Sequence, residues 1–341
     1  MPANARLVNH QATIALARKW GGGDVASADG LRFVVPARAF HGGPNPHYFG
    51  QGSGITLYGF ISNQYTQFHH IVIPGTMRDS IFILEGLLEN RTELRPTTIA
   101  TDTAGSSELI FALFWLLGYQ FTPRLADLDE TRFWSIDRHA DYGPLTGLAA
   151  NKINLKLIAE HWDDMLRIAG SLQMGTVKAS DLVRSLHAGS RTSRLTAALA
   201  ELGRIAKTLH LLAYVDSEEY RRAILVQLNR GEARHALARD VCHGRRGKII
   251  HPYREGEEDQ LGALGLVLNA VVLWNTLYLD RALAVAEGAG IDISDDDIAR
   301  LGPLGHDHLN LEGHFTFNTD LTSSGRERPL RDPNQPEAPD L

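Results

Sequence analysis

The apolar positions change period along the chain, and each change marks an element. Leu7, Ile14, Ala15, Ala17 and Trp20 recur at helical spacing, and the run Gly21–Gly23 stops that pattern. Asp29, Leu31, Phe33 and Val35 share one parity, as residues on one face of a strand do, and Pro36 ends the run. Residues 54–62 (GITLYGFIS) and 67–73 (QFHHIVI) predict two more strands, the second closed by Pro74 and Gly75. A three-strand meander is the economical arrangement. Met77, Ile81, Leu84 and Leu88 return to helical spacing and predict a helix over 77–89. Residues 97–102 (TTIATD) predict a short buried strand. Residues 107–117 (SELIFALFWLL) predict a helix buried on most sides, with Gly118 at its C′ position, and 119–125 a fifth strand.

Beyond this point the stripes are helical. Leu155, Ile158, Trp162, Met165 and Ile168 form one; Leu195, Leu199, Leu202, Ile205 and Leu209 form another. A further helix is predicted over 217–241, then a basic loop, then an apolar helix over 260–285. Leu261–Leu279 carries no charge and approaches bilayer-spanning length, but Asn269, Asn275, Thr276 and two glycines interrupt it, which favours a buried core helix. The last 20 residues, rich in Pro, Arg and Asp, predict a disordered tail.

Composition narrows the class. With 341 residues, 43% of them hydrophobic, the chain can form one large domain or two medium ones. A single cysteine, Cys242, excludes an internal disulfide framework and fits a reducing cytosol. Residues 1–20 hold no continuous apolar stretch, so no secretory signal and no membrane anchor is expected. The net charge of −6 argues at first against nucleic acid, but the charge is unevenly spread. Residues 184–254 hold 14 Lys+Arg against 6 Asp+Glu, a balance of +8, whereas residues 255–341 hold 5 against 17, a balance of −12. Backbone phosphates respond to a local basic surface, although ordinary helix-surface charge gives the same count.

Three strands, helix, strand, helix, strand and then helices is the order of an RNase H-like α/β domain: a five-stranded mixed sheet with flanking helices. In that layout one acid sits on the first strand, one at the end of the fourth and one on a late helix. Asp29, Asp102 and Glu232 fill those places. Glu232 follows Leu228 by four residues and Leu225 by seven, so it is expected on their apolar face, where a carboxylate needs a positive partner. A pair of Mg2+ ions, with Mn2+ able to substitute, would supply it, because hard cations take carboxylate oxygens and two of them can flank an in-line phosphoryl transfer. Asp102 also suits the start of a turn, and Glu232 an ion pair with Arg234 or Arg239.

Ten stretches go further: ASADGLRFVVP (26–36), HIVIPGTMRDS (70–80), EGLLEN (85–90), TDTAGSSE (101–108), LFWLLGYQFTPRLADL (113–128), HWDDMLRIAGSL (161–172), ALAELGRIAKTL (198–209), QLNRGEARHALAR (227–239), YREGEEDQLGALGLVLNAVVLWNT (253–276) and PLGHDHLN (303–310). In residue content and order they resemble the C-terminal catalytic region of the Tn3 family of replicative, cointegrate-forming bacterial transposases, over residues 1 to about 318. The resemblance implies a DDE-type metal-dependent polynucleotidyl transferase. Its acidic triad falls on the Asp of SADG, the Asp of TDTAG and the Glu of NRGEARH, which are Asp29, Asp102 and Glu232. It also implies a helical insertion between the second and third acids.

The expected organisation is an N-terminal helix and linker (1–25), the first part of the core (26–126), an all-helical insertion (127–215), the Glu-bearing core helix with C-terminal helices (216–320) and a tail (321–341). The expected partners are transposon-end and target DNA, with a homodimer when part of a full-length transposase, in the bacterial cytoplasm at the nucleoid. Family members are much longer and carry N-terminal regions that bind terminal repeats, so a truncated gene or a fragment is expected. The alternative function is therefore a non-catalytic DNA-binding or dimerising remnant. Arg124, His235, Arg239, Arg245, Arg246 and Lys248 are candidate DNA contacts, with surface, cap or loop roles as the plain alternative. His69–His70 and His306/His308 lack enough ligands in register for zinc. Trp115 and Trp274 are expected in the core, and Gly21–Gly23 is not a phosphate loop because no Lys-Ser/Thr follows.

Overall fold

The computed structural model describes residues 2–35, 42–74, 79–102, 107–126, 132–137, 139–149, 151–188, 193–242, 257–310 and 330. The first predicted helix is two, α1 (Pro2–Gln11) and α2 (Ala15–Trp20). The central strand is β1 (Val25–Val35). The two-residue β2 (Gly43–Pro44) and the one-turn helix α3 (Pro46–Phe49) follow. β3 (Ser53–Ser62) and β4 (Gln67–Pro74) complete the meander, antiparallel throughout. α4 is a single turn, Glu85–Leu88. β5 (Thr98–Thr101) then pairs parallel with β1, and β6 (Gln120–Pro123) parallel with β5. The mixed sheet runs β2-β3-β1-β5-β6, with β4 also on β3. It has six strands instead of five, because two residues at β2 are too short to show alternation.

Both faces of the sheet are covered, as parallel pairing demands. On one face Ala26 and Ala28 of β1 join Phe60, Ile99 and the helix α5 (Glu108–Leu116). On the other, Leu31, Phe33 and Val35 meet Leu237, Leu261 and Leu264 of two late helices. α5 forms as its sequence indicates. Ser107 caps it by accepting the Ile110 N–H, Leu109–Phe114 are all buried, and Gly118 leaves the helix at φ +77.

The helix expected over 77–89 is a 3-10 turn at Asp79–Phe82 followed by α4. Two tertiary contacts override the helical period. The Asp79 carboxylate is held by Arg32 at 2.6 Å, and Gly86 lies so close to the Phe60 ring that a Cβ would overlap it. The expected insertion 127–215 is not all helical. Its first part contains β7 (Trp134–Ser135) and β8 (Asn151–Lys152), a parallel pair joined through a 3-10 turn at Gly143–Leu145. Helices begin only at α6 (Leu155–Glu160) and continue through α7 (Trp162–Gln173), α8 (Ala179–Ala188) and α9 (Arg194–Asp216). Here too two-residue strands leave no period to read. The buried Glu85 accepts the Ser180 N–H at the start of α8, which ties this region to α4.

α10 (Glu218–Val241) and α11 (Glu257–Gly288) follow, then α12 (Asp295–Arg300) with a capping box on Ser294. α11 is long and apolar enough to cross a membrane, but its polar residues are engaged inside the fold. Asn269, Asn275 and Thr276 are buried and bond to Gln67, Pro303 and Gln11 respectively. Trp115 and Trp274, expected in the core, are 50% and 42% exposed. Trp274 stacks on Tyr278, and Trp115 lines a cleft of about 460 Å³ between α5, β6 and α9. The predicted tail lies outside the described residues apart from Leu330.

Two local constraints yield tests. Gly203 of α9 crosses α5 where a Cβ would overlap the Glu108 carbonyl oxygen. Glycine to alanine in a helix ordinarily stabilises by about 1 kcal/mol. Here Gly203→Ala reverses the sign and is expected to lower stability by about 2 kcal/mol or more in urea unfolding, because backbone must move. His210 donates from Nε2 to the Pro123 carbonyl and accepts at Nδ1 from the Tyr220 hydroxyl, each at 3.0 Å. Burial lowers its pKa to about 4. The unfolded chain therefore takes up a proton near 6.5 that the native state refuses until about 4. Stability from this residue is complete above 6.5 and is lost as pH falls towards 4. Relative to His210→Gln, the wild type should lose as much as about 3 kcal/mol across that window in unfolding experiments.

Candidate active site

Asp29 lies in the middle of β1, level with Gly59 of β3. The β1–β5 register pairs Val25 with Thr98, Ala26 with Ile99 and Ser27 with Ala100. The same offset carried two residues on puts Asp102 level with Asp29, at the exposed end of β5. Asp29 is 30% exposed, and its Oδ1 accepts the Gly30 N–H at 2.7 Å.

α10 brings further candidate ligands from more than a hundred residues away. It lies across β1 with its small and polar side: the Gln227 amide donates to Ser27 Oγ and to the Ile61 carbonyl, and a Cβ at Gly231 would touch Ser27 Oγ at 3.5 Å. Arg230 donates to the Asn63 carbonyl at 2.7 Å and lies over the Tyr65 ring. Arg234 is 1% exposed and donates to the carbonyls of Tyr65 and Gly265 and to Asn269 Oδ1. The stripe that faces the core is thus Ile224, Gln227, Gly231, Arg234, Leu237 and Ala238. This corrects the expected placing of Glu232 on an apolar face: Leu225 and Glu232 are exposed, and only Leu228 is partly buried. Glu232 sits at the rim, where it keeps contact with water.

Asp29, Glu232 and His235 offer one ligand atom each within 4.8 Å of one another. Asp102 is outside that set but close enough to act on Asp29 electrostatically. His235 is 6% exposed, and its Nδ1 stands 3.7 Å from Asp29 Oδ2. Burial raises the Asp29 pKa, with Asp79 and Asp102 adding to the rise, against the opposing pull of the Gly30 N–H and Arg32. Burial likewise lowers His235 to about 4, so its imidazole is neutral at pH 7 and forms no ion pair with Asp29 there.

Sequence reasoning missed the support on the opposite parity of β1. Arg32 donates to the Asp79 carboxylate at 2.6 Å and to the Gly30 carbonyl at 3.1 Å, and its guanidinium lies 3.7 Å from the Tyr48 ring centroid. Asp79 sits over Gly30, where any Cβ would crowd its Oδ2. The signal available was a lone arginine inside the apolar strand ASADGLRFVV. Among the DNA-contact candidates, His235 is buried beside Asp29 instead of facing outward. Arg124 and Arg239 are exposed; Arg124 continues β6 with its N–H on the Thr101 carbonyl, next to Asp102. Arg245, Arg246 and Lys248 lie outside the described residues. His69 and His70 join no metal-ligand set among the described residues, and His306 lies 3.3 Å from Asp240.

A mixed α/β domain with an acid on its central strand, a second acid level with it and a glutamate on a helix docked above is of the class that holds a cation with carboxylates. The chain belongs to the Tn3 transposase DDE domain family, whose sequence model matches residues 1–315. It is 60% identical over 315 residues to the transposase for transposon gamma-delta of Escherichia coli (strain K12), covering 92% of this chain and 31% of that protein. It is 47% identical over 330 residues to the transposase for transposon Tn4556 of Streptomyces fradiae, covering 97% and 37%. It is 38% identical over 330 residues to the transposase for transposon Tn1546 of Enterococcus faecium, covering 96% and 33%. The chain spans about a third of the length of these relatives.

A DDE domain implies a divalent metal ion, and the residues fit one. Ligand atoms sharing an ion at about 2.1 Å stand at most about 4.2 Å apart. The 3.7 Å separation is inside that limit, and the three ligand atoms together lie within 4.8 Å of one another. Without metal the charge on Asp29 is disfavoured, because partial burial, with Asp79 and Asp102 nearby, raises its pKa. Asp29→Asn is therefore expected to stabilise the metal-free protein by about 1 kcal/mol, measured by thermal unfolding in EDTA. A lower Tm for the variant in EDTA would show that the charge on Asp29 is satisfied by the protein alone.

Proposed function

We propose that this chain is the catalytic domain of a DNA transposase with an RNase H-like core. It would cut phosphodiesters at transposon ends and transfer the freed 3′-hydroxyl to target DNA. The observation that carries this reading is the level placement of Asp29 and Asp102 on adjacent parallel strands beneath the α10 helix that bears Glu232. The strand order β4-β3-β1-β5-β6, antiparallel in its first half and parallel in its second, supports the RNase H-like layout. In this reading residues 26–126 and 216–320 build the core, and 127–215 is an insertion between the second and third acids. The substrates are transposon-end and target DNA, and the working assembly is a homodimer of the full-length transposase in the bacterial cytoplasm.

Asp29, Asp102 and Glu232 would hold the divalent metal, Mg2+ with Mn2+ as substitute. When bound, the metal supplies charge stabilisation at the reacting phosphate and a deprotonated nucleophile at neutral pH. The chain's own residues do the rest. Asp29, fixed by the Gly30 N–H, presents Oδ2 towards α10. Asp102 and Glu232 are exposed and border the side from which a phosphate can enter. Arg124 and Arg239, also exposed, offer cations to the flanking DNA backbone, which positions DNA without reading its sequence.

The isolated chain is expected to bind duplex DNA weakly, with little preference between terminal-repeat and scrambled sequences, and to release it as salt rises. Nicking should require Mg2+ or Mn2+, act best on pre-nicked or branched ends, and fall at least about a hundredfold in Asp29→Asn, Asp102→Asn and Glu232→Gln. A combined gel-shift and nicking assay reads both. Nicking that survives the three substitutions would place the chemistry elsewhere.

A further inference from the structure

We propose that His235 is a nitrogen ligand of the cation held by Asp29 and Glu232, and that it shifts the centre's relative affinity from Mg2+ towards Mn2+. The inference rests on the metal-site reading above and adds to it a ligand outside the acidic triad.

Four observations carry it. His235 follows Glu232 by three residues on α10, so both side chains leave the helix on neighbouring positions of one face. Its ring is 6% exposed, which removes it from any direct contact with a DNA backbone passing over the surface. Its Nδ1 is 3.7 Å from Asp29 Oδ2. That is too long for a hydrogen bond, yet it lies between the separations of about 3.0 and 4.2 Å that adjacent and opposite ligands of one octahedral ion adopt at 2.1 Å bonds. Finally, the ring is held where it is. Arg234, its neighbour in sequence, is locked by three acceptors, and Gly231 one turn earlier rests on Ser27, so α10 cannot slide along β1. A histidine that merely filled the core would face apolar side chains. The charged groups acting on this one are Glu232, Arg239, Arg234 and Arg32, and Asp29 lies directly opposite its Nδ1.

The consequence for metal choice follows from ligand type. Mg2+ demands oxygen and keeps its waters, whereas imidazole nitrogen is accepted increasingly well along the first transition row. An imidazole added to the two carboxylates therefore helps Mn2+ more than it helps Mg2+.

The test uses Mn2+ alone as probe on the full chain without DNA. Free Mn2+ is counted by its aqueous electron paramagnetic resonance signal, Mg2+ affinity is obtained by competition, and pulsed measurements look for 14N coupling to the bound ion. The wild type should show 14N coupling. His235→Asn puts an amide oxygen near the position of Nδ1. It should lose the coupling and bind Mn2+ at least about tenfold more weakly, with Mg2+ affinity changed less than about threefold. His235→Leu should weaken both metals, and Asp29→Asn should abolish binding of both. If the wild type binds Mn2+ without 14N coupling, His235 is no ligand, and this result needs no variant to fold. If both His235 variants bind Mn2+ like the wild type while Asp29→Asn does not, the carboxylate site stands and the histidine assignment falls. If Asp29→Asn also binds like the wild type, the site reading itself fails.

Discussion

The Arg234 guanidinium is buried and pairs with no carboxylate among the described residues, and the placement of α10 depends on how that charge is satisfied. Its partners are dipoles: the carbonyls of Tyr65 and Gly265 and the side-chain oxygen of Asn269. Burial lowers its pKa to about 9, which leaves it charged at neutral pH. Its two terminal nitrogens are met by three acceptors fixed in the fold, which favours one docking geometry over slipped ones. The acceptors come from the β3–β4 turn and from α11. Asn269 also takes the Gln67 N–H and donates to Asn4 of α1 and to the Gln67 carbonyl. One arginine thus sets α10 against the sheet, α11 and α1 together. Tyr65, whose carbonyl it holds, has φ +67, a conformation that costs a non-glycine residue about 1 kcal/mol. The turn keeps that shape while Arg230 covers the Tyr65 ring and Trp20 meets its edge.

The same docking explains the electrostatics of the site. Glu232 and His235 stand two residues before and one after Arg234, so their register is inherited from the arginine. Asp29 is pressed into a place where its charge is disfavoured, and the Gly30 N–H and Arg32 offset this only in part. Arg32 is itself committed to Asp79 on the other parity of the strand. The strand therefore carries an acid towards α10 on one side and a neutralised ion pair on the other. An uncompensated acid facing a neutral histidine and a solvated glutamate is a costly arrangement for a bare protein and a favourable one for binding a cation.

How far this was legible in the sequence depends on the length of the signal. β1, β3 and β4 could be read because eight to eleven residues give alternation enough repeats. α5 could be read because its apolar run has a serine cap before it and a glycine after it. β2, β7 and β8 have two residues each and leave no period. The 77–89 helix was misread because the pull of Arg32 on Asp79 and the fit of Gly86 on Phe60 are long-range facts that no local window contains. Trp115 and Trp274 were placed inside by their hydrophobic neighbours, whereas a helix that is apolar all round still has one outward side. The order of the elements and the family resemblance singled out Asp29, Asp102 and Glu232 as candidates. The depth of His235 could not be read in this way, since its spacing from Glu232 fits a surface and a buried position equally well.

Exposure divides the site into a wet and a dry side. Asp102 and Glu232 are open to solvent, Asp29 is partly covered, and His235 is enclosed. A charged substrate can approach only from the wet side, because the dry side is the packed seam between β1 and α10. At the seam, water is scarce, and a charged side chain would add its own desolvation to that of Asp29. A neutral imidazole avoids this second penalty while its Nδ1 stands 3.7 Å from Asp29 Oδ2. Burial thus separates the carboxylates at the rim from the histidine at the seam, and the partly covered Asp29 lies between them.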